Sequence, residues 1–354
     1  MRVPPVPLLP SGVSMVAKPW GRPLVEIDRP LPLIGTVFIG VIDRGTNILQ
    51  VRPTTLCPLN CIFCSVDAGP RSRWRRSEYQ VRDPAYLASW AGEIASYKGG
   101  GVEALVDGVG DPFAYPRLVE LVAELKGSDG IRWVAVETHG WGLRRDLIDR
   151  LEEAGLDRVN LSIDTLNPEK ARYLAGTPWY DVERVKRLAE YIVKETSIDL
   201  HVTPVWVPGL NDEDVKDVVR WAYTIGAGKR WPPATIQKYN IHKHGRKPRG
   251  VREVPWREFW AWIRSVEEEL GLRVSWSMEE WGFKRAPQVE VPYKKGSRVR
   301  ARVLAPGWLK GTTTGITLDG RWLLTLRGEG YRPGSIVSTV VESVKDTIVI
   351  VRPV

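Results

Sequence analysis

Between residues 36 and 271 two periods alternate along the chain. Short apolar runs such as 102–107, 132–138 and 158–164 end in Gly or polar turn residues and read as buried strands. The spans between them space their apolar residues as helices do. The first helix opens at Asp83-Pro84, a side-chain cap followed by proline at the first helical position. Tyr86, Leu87, Trp90 and Ile94 share its face, and Gly99-Gly100-Gly101 closes it. The same pattern predicts helices at about 115–126, 143–154, 180–195, 212–225 and 256–270, with further strands at 198–206 and near 234–240. A strand–turn–strand unit at 36–55, turning at Asp43-Arg44-Gly45, precedes them. Strands separated by helices imply parallel βαβ units and an α/β fold. The edges of the chain differ. Residues 1 to about 32 are Pro-rich and read as an irregular arm, so 1–44 is taken as arm and hairpin. Residues 45–271 form the α/β part, 272–291 a connector, and 292–354 short alternating strands with Gly-rich turns, a small all-β barrel.

Composition narrows the class. The chain has 354 residues, 43% hydrophobic and 26% charged, which suits two globular units at roughly 100–200 residues each. No apolar run approaches the roughly 18 residues of a membrane span, and the N-terminus is too Pro-broken for a signal peptide. Three cysteines in one cluster do not make a disulfide framework, so a reducing cytoplasm is expected. Six Asn and four Gln beside many Arg suit a thermophile. Fifty-one Lys and Arg against 42 Asp and Glu give +9, which leans toward a polyanionic partner. Residues 292–354 carry eleven of those cations against four acids.

The sharpest chemical signal is Cys57-Pro-Leu-Asn-Cys61-Ile-Phe-Cys64, which holds every cysteine of the protein. Thiols this close favour a shared metal or cluster over packing. A closed zinc site needs four ligands, and His139, His201, His242 and His244 are distant in sequence. Three thiolates on an iron–sulfur cubane would leave one iron open.

C-x3-C-x2-C with Phe63 before its last cysteine resembles the radical S-adenosylmethionine (SAM) enzymes. The resemblance implies that Cys57, Cys61 and Cys64 hold a 4Fe-4S cluster. Its open iron would bind SAM, and reduction would yield a 5′-deoxyadenosyl radical. Gly108-Val-Gly110-Asp111-Pro is similar to the family's Gly-Gly-Glu-Pro segment, which receives the methionine ammonium. Glu137-Thr-His139-Gly is similar to its Thr-Asn-Gly stretch. Asn160-Leu-Ser162 is similar to the strand that meets the ribose, and Val205-Trp-Val207-Pro-Gly to the segment beside the adenine. The resemblance covers about residues 45–271 and implies a partial (β/α)6 barrel, with its active site at the C-terminal ends of the strands.

Residues 229–252 contain no Asp or Glu and include Lys238, Lys243, His244, Arg246, Lys247 and Arg249. Following the sixth strand, they are expected at the barrel mouth, where cations neutralise phosphates. Arg71, Arg73, Arg75 and Arg76 around Trp74 would face RNA, the nucleotide end of SAM, or solvent. The segment 292–354 resembles a TRAM domain, the OB-like barrel of several tRNA-modifying enzymes. Lys294, Lys295, Arg298, Trp308 and Lys310 are its expected RNA contacts. The layout resembles the radical and TRAM parts of tRNA methylthiotransferases, without the three further cysteines of their auxiliary cluster. The expectation is therefore a radical enzyme, monomeric by default. It would modify an RNA nucleotide, most naturally in tRNA, and be fed by a low-potential donor such as ferredoxin. Glu137, His201, Tyr239 and His242 are the expected substrate-facing groups. A protein or small-molecule substrate, or a non-catalytic zinc-containing RNA-binding protein, stay open as alternatives.

Overall fold

The computed structural model describes residues 11–354. β1 (Val13–Ala17) and β2 (Leu24–Ile27) pair antiparallel. β3 (Gly40–Asp43) and β4 (Ile48–Arg52) form the hairpin around Asp43-Arg44-Gly45. β5 (Glu78–Val81) returns to pair in parallel with β2. Two segments of the arm expected to be irregular thus join β5 in a three-stranded sheet, while residues 1–10 lie outside the described ones. Four- and five-residue strands set between prolines give too few alternations to be recognised.

α1 (Pro84–Tyr97) begins where the Asp83 carboxylate accepts the Ala85 N–H at 3.0 Å, and it buries Leu87, Ala88, Ala91 and Ile94. β6 (Val102–Val106), α2 (Leu118–Lys126), β7 (Ile131–Thr138), α3 (Arg145–Glu153) and β8 (Arg158–Leu161) follow. A short α4 (Pro168–Leu174), capped by Asn167, was not expected from the periodicity; α5 (Val182–Glu195) and β9 (Asp199–Val202) come next. Seven residues complete too few turns to show a stripe. The main sheet runs β3-β4-β6-β7-β8-β9, parallel except for β3. β10 (Val205–Trp206), α6 (Asp212–Ile225), β11 (Gln237–Lys238) and α7 (Trp256–Leu270) complete the α/β part. The sixth parallel strand is fragmentary: a Val202–Ala234 bridge, then β11 paired with β10.

The connector covers the N-terminal end of the sheet. Arg285 bridges Thr46, and Asn47 Nδ2 donates to Gly282 O at 2.9 Å. β12 (Arg298–Pro306), β13 (Thr312–Thr317), β14 (Leu323–Arg327), β15 (Ile336–Lys345) and β16 (Ile348–Pro353) close a barrel in the order β12-β13-β14-β16-β15. Along β12, Val299, Ala301 and Val303 point into that barrel while Arg298, Arg300 and Arg302 point out. The barrel docks on the early residues: Leu323 N donates to Ile34 O and Val349 N to Gly35 O, both at 2.9 Å. Gly35 has φ 118°, and a Cβ there would lie 2.0 Å from Leu323 O, so only glycine fits. Trp308 is a correction to the expected RNA contacts. It is 7% exposed, stacked on Phe38 at 5.7 Å with the Arg75 guanidinium over its ring, and serves the joint between the two units. Among the described residues no helix is long and apolar enough to cross a membrane.

Candidate active site

The cysteine loop leaves the C-terminal end of β4 and is braced from three sides. Asn60 N and Ile62 N donate to Ala175 O and Leu174 O at the end of α4, each at 2.9 Å. From below, the fully buried Arg75 donates to Thr55 O at 2.8 Å and to Glu78 at 3.0 Å. From the mouth, the Arg246 guanidinium donates to Cys61 O at 3.1 Å and to Ala68 O, and pairs with Asp67 at 2.8 Å. The loop and the strand ends enclose a cavity of about 310 Å³ that all three cysteines line. Burial pushes the Cys57 and Cys61 thiols far up; neighbouring Asp111 adds to this at Cys57, and the other cysteines at Cys61.

Phe63, Gly108, Gly110, Glu137, His139, Ser162, Lys238, Tyr239 and His242, all singled out from the sequence, line the same cavity. Burial and the nearby Asp107 push the Glu137 carboxyl up to about 7, against a smaller opposing effect of His139. His139 Nδ1 lies 3.1 Å from Ser162 O. A carbonyl only accepts, so Nδ1 carries a proton toward Ser162 O. Gln237, Asn240 and Val205 also line the cavity and were not named as site residues. Their signal was available, since Gln237 and Asn240 fall within the expected sixth strand and Val205 within the segment likened to the one beside the adenine.

Other expected site residues do not line this cavity, although Asp111 lines a smaller one beside it that shares Gly108, Gly110, Glu137 and His139. Asp111 is 1% exposed; its carboxylate accepts from Phe113 N, Thr138 Oγ1 and His139 N at 3.0–3.1 Å. It caps the turn after β6 rather than presenting a free oxygen. Asn160 does not line the cavity; its Oδ1 accepts from Arg158 Nε at 2.8 Å. His201 is sealed in the barrel: Nδ1 is 2.6 Å from Pro232 O, Nε2 is 2.9 Å from Thr235 Oγ1, and Trp281 stands edge-on to the ring. Burial drives its pKa down to about 3. Val207 is fully buried in an apolar cluster with Phe63 and Tyr239.

The basic residues also divide. Lys238 is a buried partner of Glu253 at 2.8 Å, and Arg246 serves the cysteine loop, so neither is a free surface cation. Arg75 is internal as well. Lys243, Lys247, Arg249, Lys294, Lys295, Arg298 and Lys310 are exposed. His244 is half-buried with its ring edge-on to Trp74 at 4.9 Å.

A family profile described as "Radical SAM superfamily" matches residues 51–222. The chain is 34% identical over 327 residues to an uncharacterized protein of Methanocaldococcus jannaschii, covering 86% of this chain and 75% of that one. This chain belongs to the radical SAM superfamily. It is also 32% identical over 186 residues to a GTP 3',8-cyclase of Heliobacterium modesticaldum, covering 52% of this chain and 53% of the cyclase. The chain thus spans about half of that enzyme's length. Among solved structures, Streptococcus suis SuiB bound to S-adenosylmethionine aligns at TM-score 0.47 and 18% identity, over 64% of this chain and 49% of that one.

Radical SAM enzymes use a 4Fe-4S cluster and SAM, and the residues of this loop fit that pair. Each cysteine of such a cluster binds its own iron, so the thiols must ring a space rather than converge on a point. They do ring one, and among the described residues no three Cys, His, Asp or Glu side chains converge as for a single ion. Burial disfavours the bare Cys57 and Cys61 thiolates, and coordinated metal displaces the thiol proton.

Proposed function

We propose that this protein is a radical SAM enzyme acting on an RNA nucleotide, with tRNA the favoured RNA. The carrying observation is a basic surface that runs from the cavity mouth onto the small barrel. His242 lines the cavity, and Lys243, Lys247 and Arg249 follow it on the outside. His244 leans on Trp74, which is 43% exposed and flanked by the exposed Arg71 and Arg73. Lys310 of the small barrel is tied to that segment, its N–H donating to Trp74 O at 2.8 Å. Cations interleaved with an open aromatic ring suit phosphates and an unstacked base. On the barrel itself, three of the four acids are already paired, Glu329 with Arg76, Glu342 with Arg327 and Asp346 with Arg44. Arg298, Arg300 and Arg302 form a further outward basic row along β12 of the same barrel.

In this reading Cys57, Cys61 and Cys64 hold the cluster, and the Gly108 and Gly110 backbone lines the part of the cavity that takes the cofactor's amino acid end; Gly110 packs so closely on the segment just before the cysteine loop that a Cβ there would lie 2.3 Å from Leu56 O. When bound and reduced, the cluster supplies one-electron cleavage of SAM to a 5′-deoxyadenosyl radical. Glu137, with a carboxyl that titrates near neutrality inside the cavity, is the group able to hold or release a proton beside substrate. A low-potential donor such as ferredoxin supplies the electron. The sequence match to GTP 3',8-cyclases favours a second reading, a small purine nucleotide as substrate in the same cavity.

One experiment separates these readings. Protein reconstituted without oxygen is given reductant, SAM, and either bulk tRNA, GTP or neither. 5′-Deoxyadenosine is then counted and the tRNA digested for new nucleoside masses. Deoxyadenosine rising with tRNA, together with a mass change, is the expected result. A rise with GTP alone selects the second reading, and no rise with either overturns both.

A further inference from the structure

Arg246 lies in the acid-free stretch, yet it turns inward. Its guanidinium reaches Cys61 O and Ala68 O, while Nε pairs with Asp67 Oδ1 at 2.8 Å. Its backbone N–H donates to Cys64 O at 2.8 Å. Ala68, in turn, donates its N–H to Cys64 Sγ at 3.2 Å. One side chain, from a segment about 180 residues later, thus clamps both ends of the loop from Cys61 to Ala68. The neighbouring Gly245 permits the approach, because a Cβ there would lie 2.9 Å from Ser65 O. Asp67 is also committed: its second oxygen accepts from Arg73 N at 2.7 Å and from Ser72 Oγ and Trp74 N at 2.9 Å. The pair is mostly hidden, with Arg246 17% and Asp67 3% exposed, so its charges are weakly screened.

We propose that Arg246 is a positioning residue that fixes the cysteine loop and raises the reduction potential of the cluster it holds. Reduction adds one negative charge to the cluster as a whole. A buried guanidinium beside Cys61 stabilises that charge, and it also neutralises Asp67, which would otherwise oppose it. Loss of Arg246 removes the favourable charge and uncovers the unfavourable one, so both effects push the potential down. Loss of the Asp67 charge acts in the opposite sense.

The test is a redox titration of the reconstituted holoprotein, followed by the electron paramagnetic resonance signal of the reduced cluster, without substrate. Arg246→Gln is expected to reduce the ratio of reduced to oxidised cluster about tenfold at fixed applied potential, a shift of ~59 mV for a one-electron couple. Arg246→Lys keeps the charge and is expected to titrate near the parent value, although a single ammonium cannot fill all three positions of the fork. Asp67→Asn, which keeps an acceptor for the Arg73 and Trp74 N–H groups, is expected to move the potential upward. A purely structural role would change cluster occupancy without opposite shifts from the two variants. Arg246→Gln protein that titrates at the parent potential overturns the proposal. Should that variant fail to hold iron, Asp67→Asn decides: an upward shift supports the proposal, and no shift or a downward one overturns it.

Discussion

Two polar layers cross the α/β barrel, and they behave oppositely. At the cavity end, Glu137, His139 and Ser162 face open space among the cysteines. Toward the other end, Arg158, Glu103, Asn160 and His201 are bound to one another or to backbone. Arg158 donates to Glu103 at 2.6 Å and lies over Trp231 and Trp281. Glu137, Asn160 and His201 even occupy one row of the sheet, Glu137 opposite Asn160 and Asn160 opposite His201. Barrel strands are tilted and staggered, so a row in register is not a level in the barrel. The lesson is that alternation tells which face a side chain takes, while depth along the axis decides whether it meets ligand or a plug.

Breaking the two layers should give different losses. The largest is at the cysteines: Cys57→Ala should lose the iron and the brown chromophore, read by metal analysis after anaerobic reconstitution. Next is the plug. Glu103→Ala leaves Arg158 buried and unpaired, which costs about 3–5 kcal/mol, read as a lower denaturant midpoint.

The pH dependence of stability sharpens the contrast, measured on cluster-free protein. Glu137 has a folded pKa near 7 against 4.5 for an ordinary glutamate, so the folded state binds more protons between those values and loses stability as pH rises through them. His201 has a folded pKa near 3 against 6.5, so the unfolded state binds more protons between those values and stability is lost as pH falls through them. Glu137→Gln should remove a downward slope with rising pH, and His201→Leu an upward one. A His201 variant that flattens neither slope would contradict its placement in the plug. The smallest effect is expected at the surface. Lys310→Ala should lower the salt slope of tRNA binding by about one.

The cysteine loop was legible because spacing alone brings its three thiols together. The parallel order of β4, β6, β7, β8 and β9 was legible because apolar strands and amphipathic helices alternate without interruption. Partners remote in sequence were not legible. Lys238 sits in a run with no acids, and the carboxylate that claims it, Glu253, begins one residue after that run ends. Trp308 lies in a Gly-flanked turn, where an aromatic serves a docking joint as readily as a nucleic acid. Asp111 looks like a free carboxylate until the three N–H and O–H donors folded around it are seen.

The central claim, that the cavity layer is the reactive one and the plug is structural, is tested most directly by anaerobic reductive cleavage of SAM in Cys61→Ala and Asn160→Ala. The expected result is no 5′-deoxyadenosine from the first and near-parental amounts per folded molecule from the second. Cleavage that survives in Cys61→Ala, or disappears in folded, iron-loaded Asn160→Ala, would contradict it.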